Sequence, residues 1–291
     1  MSDTWSESYQ LAGLSLKGRL LNASGTFDAL AAYRVFGQQL IDNFPFAAFV
    51  TKTVTVQPRE GNPPPRIWET PSGMLNSIGL PNKGVERFID EDLTQLGELI
   101  PVPIIVNIMG SNLEEFSTLI GRLRELPAAS ALELNVSCPN VKTGLDIGAD
   151  PDTLGELVQG LRGLTDLPMI VKLTPNTANV ALTAEAAAEA GADAVSLINA
   201  VRGMAVGPTG GPWLGGGTGG ISGPAIRAAS LAQVNAVRTR ISLPIIGMGG
   251  VQNAKHARDL FDRGADLVAV GTENFRNPTA ATRIAEDLRQ N

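Results

Sequence analysis

The chain has little of what builds metal centres and covalent staples. Among its 291 residues there is one cysteine, Cys138, and one histidine, His256. One thiol cannot close an internal disulfide, and these two side chains cannot supply the ligands of a zinc site or an iron–sulfur cluster. Acidic side chains outnumber basic ones by 29 to 23, the net charge is −6, and no basic run is long enough to track a phosphate backbone, which argues against a nucleic-acid partner. No apolar stretch approaches the roughly 20 residues that cross a bilayer. The opening segment MSDTWSESYQ lacks the basic stretch and apolar core of a secretory signal. A soluble protein in a reducing, cytoplasmic setting is therefore expected. His256 lies in the polar-faced helical stretch NAKHARDLF and reads as a solvated surface residue.

What the chain has is alternation. After LAGLSLKGRL, whose pattern suits a short hairpin, eight apolar runs follow: 20–25, 46–54, 103–110, 131–138, 168–175, 193–200, 243–251 and 266–275. Amphipathic stretches such as NLEEFSTLIGRLREL (112–126), TAEAAAEAGA (183–192) and PAIRAASLAQVNAVRTRI (224–241) separate them. Near-continuous apolar strands divided by helices imply a parallel sheet buried on both faces. Eight such units predict an α/β fold of the (β/α)8 (TIM) barrel type with an N-terminal β-hairpin. An open doubly wound sheet is the alternative, but its dinucleotide fingerprint is missing from the first strand–helix turn. No linker-like shift in composition divides residues 1–291, so one domain is expected. Two connections, from Val56 to Pro101 and from Val201 to Leu243, are too long for plain helices and dense in Pro and Gly. They predict long irregular insertions at the C-terminal face of the barrel, where active sites are built.

The strand ends carry the chemistry. In order they are Ser24–Gly25, Lys52, Asn107, Asn135 with Cys138, Lys172, Asn199, Gly249–Gly250 and Gly271–Thr272. Two lysines, three amides and a thiol, with no carboxylate among them, describe an electropositive site suited to an anionic, amide-rich ligand. The glycine turns GMGG and VGTENF follow strands seven and eight, where barrels commonly hold phosphate on backbone N–H groups. SGPAIR (222–227) adds a third such turn. Lys172 could form a Schiff base or place a positive charge beside a cofactor ring. The lack of a proton-shuttling carboxylate at the other strand ends favours the second. In ELNVSCPNVKTG (133–144), Pro139 ends a strand immediately after Cys138, which puts the thiol at the mouth of the fold.

Taken together, ELNVSCPNVKTG, GNPPPRIWETPSGMLNSIGLPNKG, VKLTPN, GGISGPAIR, PIIGMGGV and VGTENF resemble the motifs of class 1 dihydroorotate dehydrogenases, flavin enzymes of pyrimidine (UMP) biosynthesis. The resemblance runs from about Leu20 to Phe275. It implies FMN as cofactor, with its phosphate on Gly249–Gly250 and Gly271–Thr272, helped by Gly223. Ser24, Lys52, Thr53, Asn107, Asn135, Lys172 and Ile198 would line the flavin. The implied substrate is dihydroorotate, contacted by Lys52, the segment Asn76, Ser77, Ile78, Gly79 and Leu80, and by Asn135, Asn140, Asn199 and Ala200. Cys138 matches the base, on a loop that would close as a lid. Class 2 members, with a serine base and a membrane-associating extension, resemble the chain less.

Within class 1, ETPSGMLNSIGLPN, GGISGPAIR and GMGGV are most similar to the 1B catalytic subunit, which passes electrons to NAD through a separate iron–sulfur and FAD subunit. The same resemblance suggests a homodimer inside a larger complex. A fumarate-linked 1A acceptor and a related dihydropyrimidine dehydrogenase are the alternative readings. Ala200 departs from the family pattern, which usually has threonine there.

Overall fold

A computed structural model describes residues 8–137 and 147–290 of the chain. It opens with the hairpin β1 (Ser8–Leu11) and β2 (Leu14–Lys17). Ala12 and Gly13 both take positive φ, 48° and 89°, as a two-residue turn of the type that matches strand twist requires. β3 (Leu20–Asn22) and β4 (Phe49–Val50) follow, then a second hairpin of β5 (Ile67–Thr70) and β6 (Gly73–Asn76). Next come β7 (Ile104–Ile108), β8 (Ala131–Asn135), β9 (Met169–Lys172) and β10 (Ala194–Leu197). The last four are β11 (Val201–Gly203), β12 (Gly219–Ser222), β13 (Ile245–Met248) and β14 (Leu267–Val270).

Eight of these strands, one from each predicted apolar run, form a parallel sheet in the order β3-β14-β13-β10-β9-β8-β7-β4. A parallel bridge between Leu21 and Ala48 joins its two edges, so the sheet closes into the (β/α)8 barrel. Residues alternate between two buried populations, as period-two geometry demands. Leu21, Ile105, Ala131, Ile170, Ala194, Ile246 and Leu267 point inward. Leu20, Val106, Leu132, Val171, Val195, Ile245 and Val268 face the helices. Leu11 and Leu16 of the hairpin, both fully buried, join the inner cluster near the strands' N-terminal ends.

The outer helices begin where side chains can accept from their free N–H groups. Asn112, Asp150, Asn179 and Asn253 cap helices Leu113–Leu123, Pro151–Arg162, Val180–Glu189 and Ala254–Phe261. One clamp recurs twice at the entry to the strands. Asp193 accepts from Arg162 and from the N–H of Met169 (2.6 and 2.7 Å); Asp266 accepts from Arg238 and from the N–H of Ile245 (3.0 and 2.9 Å).

The two long connections differ from the irregular insertions expected. They meet as one four-stranded antiparallel sheet, β11-β12-β6-β5. Ile221 pairs with both Val201 and Leu75. Glycine-rich strands whose partner is more than a hundred residues away leave no local period, so the pattern hid the sheet.

Candidate active site

A cavity of about 860 Å³ opens at the C-terminal ends of the barrel strands, with the four-stranded sheet forming one wall. That volume lies within the usual range for small-molecule and cofactor sites. Every barrel strand or the turn after it reaches the cavity.

Its floor is polar and preorganised. Lys172 is 6% exposed and Asn135 is 7% exposed, and they are register partners on β9 and β8. The Asn199 amide donates to Asn135 Oδ1 (3.3 Å) and to Ser137 Oγ (2.9 Å). Ser24 donates to the Thr51 carbonyl at 2.8 Å and lies 3.5 Å from the Thr53 hydroxyl. Lys52 extends from β4's C-terminal end into the cavity. Burial lowers its pKa below the usual lysine value, the Asp28 carboxylate opposes that shift, and the Arg66 guanidinium adds to it.

At the other end three turns meet. A Cβ added to Gly250 (φ +70°) would lie 2.7 Å from Arg227 Cβ and 3.0 Å from the Gly223 carbonyl oxygen. One added to Gly223 (φ +85°) would lie 3.4 Å from Thr272 Cγ2. Thr272 Oγ1 donates to Ser222 Oγ at 2.9 Å. Among the described residues, the N–H groups of Gly250, Gly271 and Thr272 find no backbone acceptor. Backbone donors gathered at glycine turns beside a short helix form a cradle for an anion such as phosphate.

The sheet wall supplies Asn76, Ser77, Ile78, Gly79 and Leu80. Ser77 donates to the Thr218 carbonyl (2.7 Å), and Asn62 donates to Ser77 Oγ (2.9 Å). Gly79 and Leu80 both take positive φ, 74° and 55°. Asn62 packs where a Cβ on Gly79 would stand, 2.5 Å from the Asn62 backbone N.

Of the residues singled out in the sequence, Ser24, Lys52, Thr53, Asn76 to Leu80, Asn135, Lys172, Ile198, Asn199, Ala200, Gly223, Gly249, Gly250, Gly271 and Thr272 come together around this cavity. Asn107 does not line it: fully buried on the inner face of β7, it donates to Glu133 at 2.5 Å. Cys138 and Asn140 lie outside the described residues. His256 is half-buried, not a solvated surface residue, and its Nδ1 is 3.2 Å from the Gly250 carbonyl. Burial and the neighbouring Arg227 lower its pKa.

Sequence reasoning missed Asn176, Arg202, Ser222 and Glu273, all of which line the cavity. Asn176 donates to the Ala200 carbonyl (3.2 Å) and accepts from the Arg202 N–H (2.9 Å). Glu273 places a carboxylate one residue beyond the last strand end, where none was expected, and accepts from Gln252 at 3.0 Å. Three of the four stood inside quoted motifs, VKLTPN, GGISGPAIR and VGTENF; the signal was present and unread.

A parallel barrel with an amide-lined, lysine-bearing floor and N–H-rich glycine turns at its strand ends defines a barrel enzyme that works at the C-terminal face of the sheet. The family can be stated further: residues 7–291 match the family model for dihydroorotate dehydrogenase, and the chain belongs to that family. It is similar to the catalytic subunit of dihydroorotate dehydrogenase B (NAD(+)) from Pelobacter propionicus, at 45% identity over 96% of this chain and 91% of that one. The subunit of the same name from Desulforudis audaxviator is 45% identical over 96% of this chain and 90% of its own length. That from Anoxybacillus flavithermus is 43% identical over 96% and 88%. No helix among the described residues is long and apolar enough to cross a membrane.

Proposed function

We propose that the chain oxidises dihydroorotate to orotate in pyrimidine biosynthesis, as the FMN-binding catalytic subunit of an NAD-linked dihydroorotate dehydrogenase. The observation that carries this reading is the union, in one cavity, of the Asn135–Asn199 amide pair, the Lys172 ammonium and the three glycine turns.

The residues present fit FMN. Gly223, Gly249, Gly250, Gly271 and Thr272 would hold the phosphate, using N–H groups that lack backbone acceptors. Ser24, Thr53, Asn135, Lys172 and Ile198 would hold the ring, and Lys172 offers positive charge to electron density arriving there. Asn107 would act from beneath, through Glu133, although its buried Oδ1 has no partner. When bound, FMN supplies the hydride acceptor. Dihydroorotate loses a hydride from one ring carbon and a proton from its neighbour as the ring double bond forms, and Cys138, as a thiolate, would take the proton.

Substrate orientation falls to side chains that both donate and accept. Asn76, Asn135, Asn140 and Asn199 can pair with the ring amides and the carboxylate, and Lys52 adds positive charge. The Asn76–Leu80 segment, whose Gly79 and Leu80 take positive φ, would cover the substrate from the side of the four-stranded sheet. Ala200 has no hydroxyl, and its Cβ stands 2.5 Å from where a Cβ on Gly220 would be. Losing that hydroxyl costs substrate binding about 1 kcal/mol.

Electrons then leave for NAD through a partner carrying iron–sulfur and FAD groups. This chain's single cysteine supplies no cluster ligands. We place it as one domain in a cytoplasmic homodimer within that complex. The test is orotate formation by the purified chain. A dye acceptor should sustain turnover by the chain alone, whereas NAD should do so only once the partner subunit is added. Orotate formed with fumarate but never with NAD plus partner would overturn the NAD assignment. No orotate with any acceptor would overturn the substrate.

A further inference from the structure

Glu133, 2% exposed, and Lys172, 6% exposed, are the only charged side chains buried among the described residues. Neither is placed at random. Alternation along β8 puts Ala131, Glu133 and Asn135 on the inner face of the barrel, with Leu132 and Leu134 against the helices. Glu133 faces Ile170 across the β8–β9 ladder and Asn135 faces Lys172, so Lys172 stands one inward layer above Glu133, on the cavity side. Two neutral donors hold the carboxylate from either flank. Asn107, its register partner on β7, donates to Oε2 at 2.5 Å. Ser196 of β10, the register partner of Lys172, donates to Oε1 at 2.7 Å. The group beside Lys172 in the ladder is thus the group that grips Glu133.

Neutral hydrogen bonds soften a buried charge without cancelling it, and an uncompensated charge is expensive in such surroundings. Among the described residues Glu133 forms no close ion pair, and no hydrogen bond joins the Lys172 ammonium to another side chain. Each is the nearest buried charge available to compensate the other. Lys172 faces the cavity, while Glu133 is so far only the acceptor through which Asn107 is held, and its own charge is unassigned.

We propose that Glu133 is the counter-charge of Lys172 and a positioning residue for the reaction. It holds the ammonium directed at the cavity floor, and it moderates the pull of that ammonium on electrons entering a flavin seated there. The first part stands on the barrel interior alone; the second rests on the FMN reading above. A strand residue that carries a full charge into a barrel core has to be matched, and the matching layer is the one that the reaction uses.

The test is a double-mutant cycle on thermal unfolding of the flavin-free chain, with Glu133→Gln, Lys172→Met and both together. Each single change leaves one buried charge unmatched and should lower the unfolding midpoint by about 10 °C. The double variant should recover at least half of the summed loss. A double variant that folds where a single one does not counts as the same recovery. Additive losses, or a double variant that does not fold, overturn the pairing. The flavin-loaded chain gives the second readout, the reduction potential of the bound cofactor. Glu133→Gln should favour the reduced form by about tenfold, while Glu133→Asp, which keeps the charge, should stay near wild type. A structural role alone would not sort these two variants by charge. An unmoved potential in the Gln variant overturns the electronic part. A wild-type chain that takes up no flavin at all sinks the FMN reading instead, and the unfolding cycle still decides the pairing.

Discussion

At the scale of single residues, the proposed reaction divides labour between a thiol and two lysines. A general base contributes roughly 10²–10⁴-fold to rate. Cys138→Ser should therefore slow flavin reduction by dihydroorotate by that order while leaving flavin absorbance and substrate affinity nearly unchanged, as single-turnover kinetics would report. Lys52 gives a pH dependence of the opposite sense. Its pKa is lowered, chiefly by burial, so its positive charge is present below that pKa and disappears as pH rises through it. Substrate affinity should weaken at a lower pH than an ordinary lysine would give, even as deprotonation of Cys138 speeds the chemical step. Measuring KM and kcat separately across the alkaline range checks both. The sequence marked these residues because strand ends in a barrel are readable from period-two apolar runs. It concealed Glu133, which sits inside the run ALELNVSC as though it were a solvated side chain. It also misplaced Asn107: the same alternation sends that amide into the barrel, but which layer it reaches depends on strand stagger, which a linear pattern does not carry. His256 looks solvated in the sequence for a related reason: its contact is the backbone carbonyl of Gly250, in a turn that the helical pattern does not include.

At the scale of elements, the proposed phosphate cradle depends on three turns, two of which, at Gly223 and Gly250, approach their neighbours too closely for a side chain. Gly250→Ala would set a methyl 2.7 Å from Arg227 Cβ at a φ of +70°. Its cost should be paid in cofactor affinity: FMN should bind at least tenfold more weakly, read by fluorescence quenching of the flavin, with the barrel's circular dichroism intact. These turns were legible because glycine clusters after the seventh and eighth strands carry a physical meaning of their own. The covering sheet was not. β6 pairs with β12 at Leu75–Ile221, and neither strand alternates apolar and polar residues clearly enough to announce itself. Its construction from two separate connections gives the cavity wall a fixed shape, with Ser77 tied to Thr218 across the pairing.

At the scale of the whole molecule, the N-terminal hairpin and the Arg–Asp clamps tie the strand entries together, away from the chemistry. Arg238 and Asp266 are both about 30% exposed, so the ion pair itself is screened. The N–H of Ile245 also depends on Asp266, and Asp266→Ala should destabilise the fold by about 1–3 kcal/mol through that unmet donor, without changing the rate of flavin reduction. Tyr9 of the hairpin has its pKa raised to about 12, first by burial and then by Asp266. A pKa raised on folding contributes stability that is complete below the unfolded value of about 10 and is lost as pH climbs towards the folded one. Unfolding midpoints of the wild type should fall across that window, and Tyr9→Phe should flatten the fall.

The measurement closest to the central claim is anaerobic stopped-flow absorbance in the visible flavin band, mixing the purified chain with dihydroorotate and comparing wild type with Cys138→Ser at neutral and alkaline pH. Bleaching should be rapid in the wild type, faster as the thiol ionises, and slowed by orders of magnitude in the variant. A flavin that stays oxidised with dihydroorotate, or one that bleaches equally fast in both proteins, would contradict that claim: the first removes the substrate, the second the base.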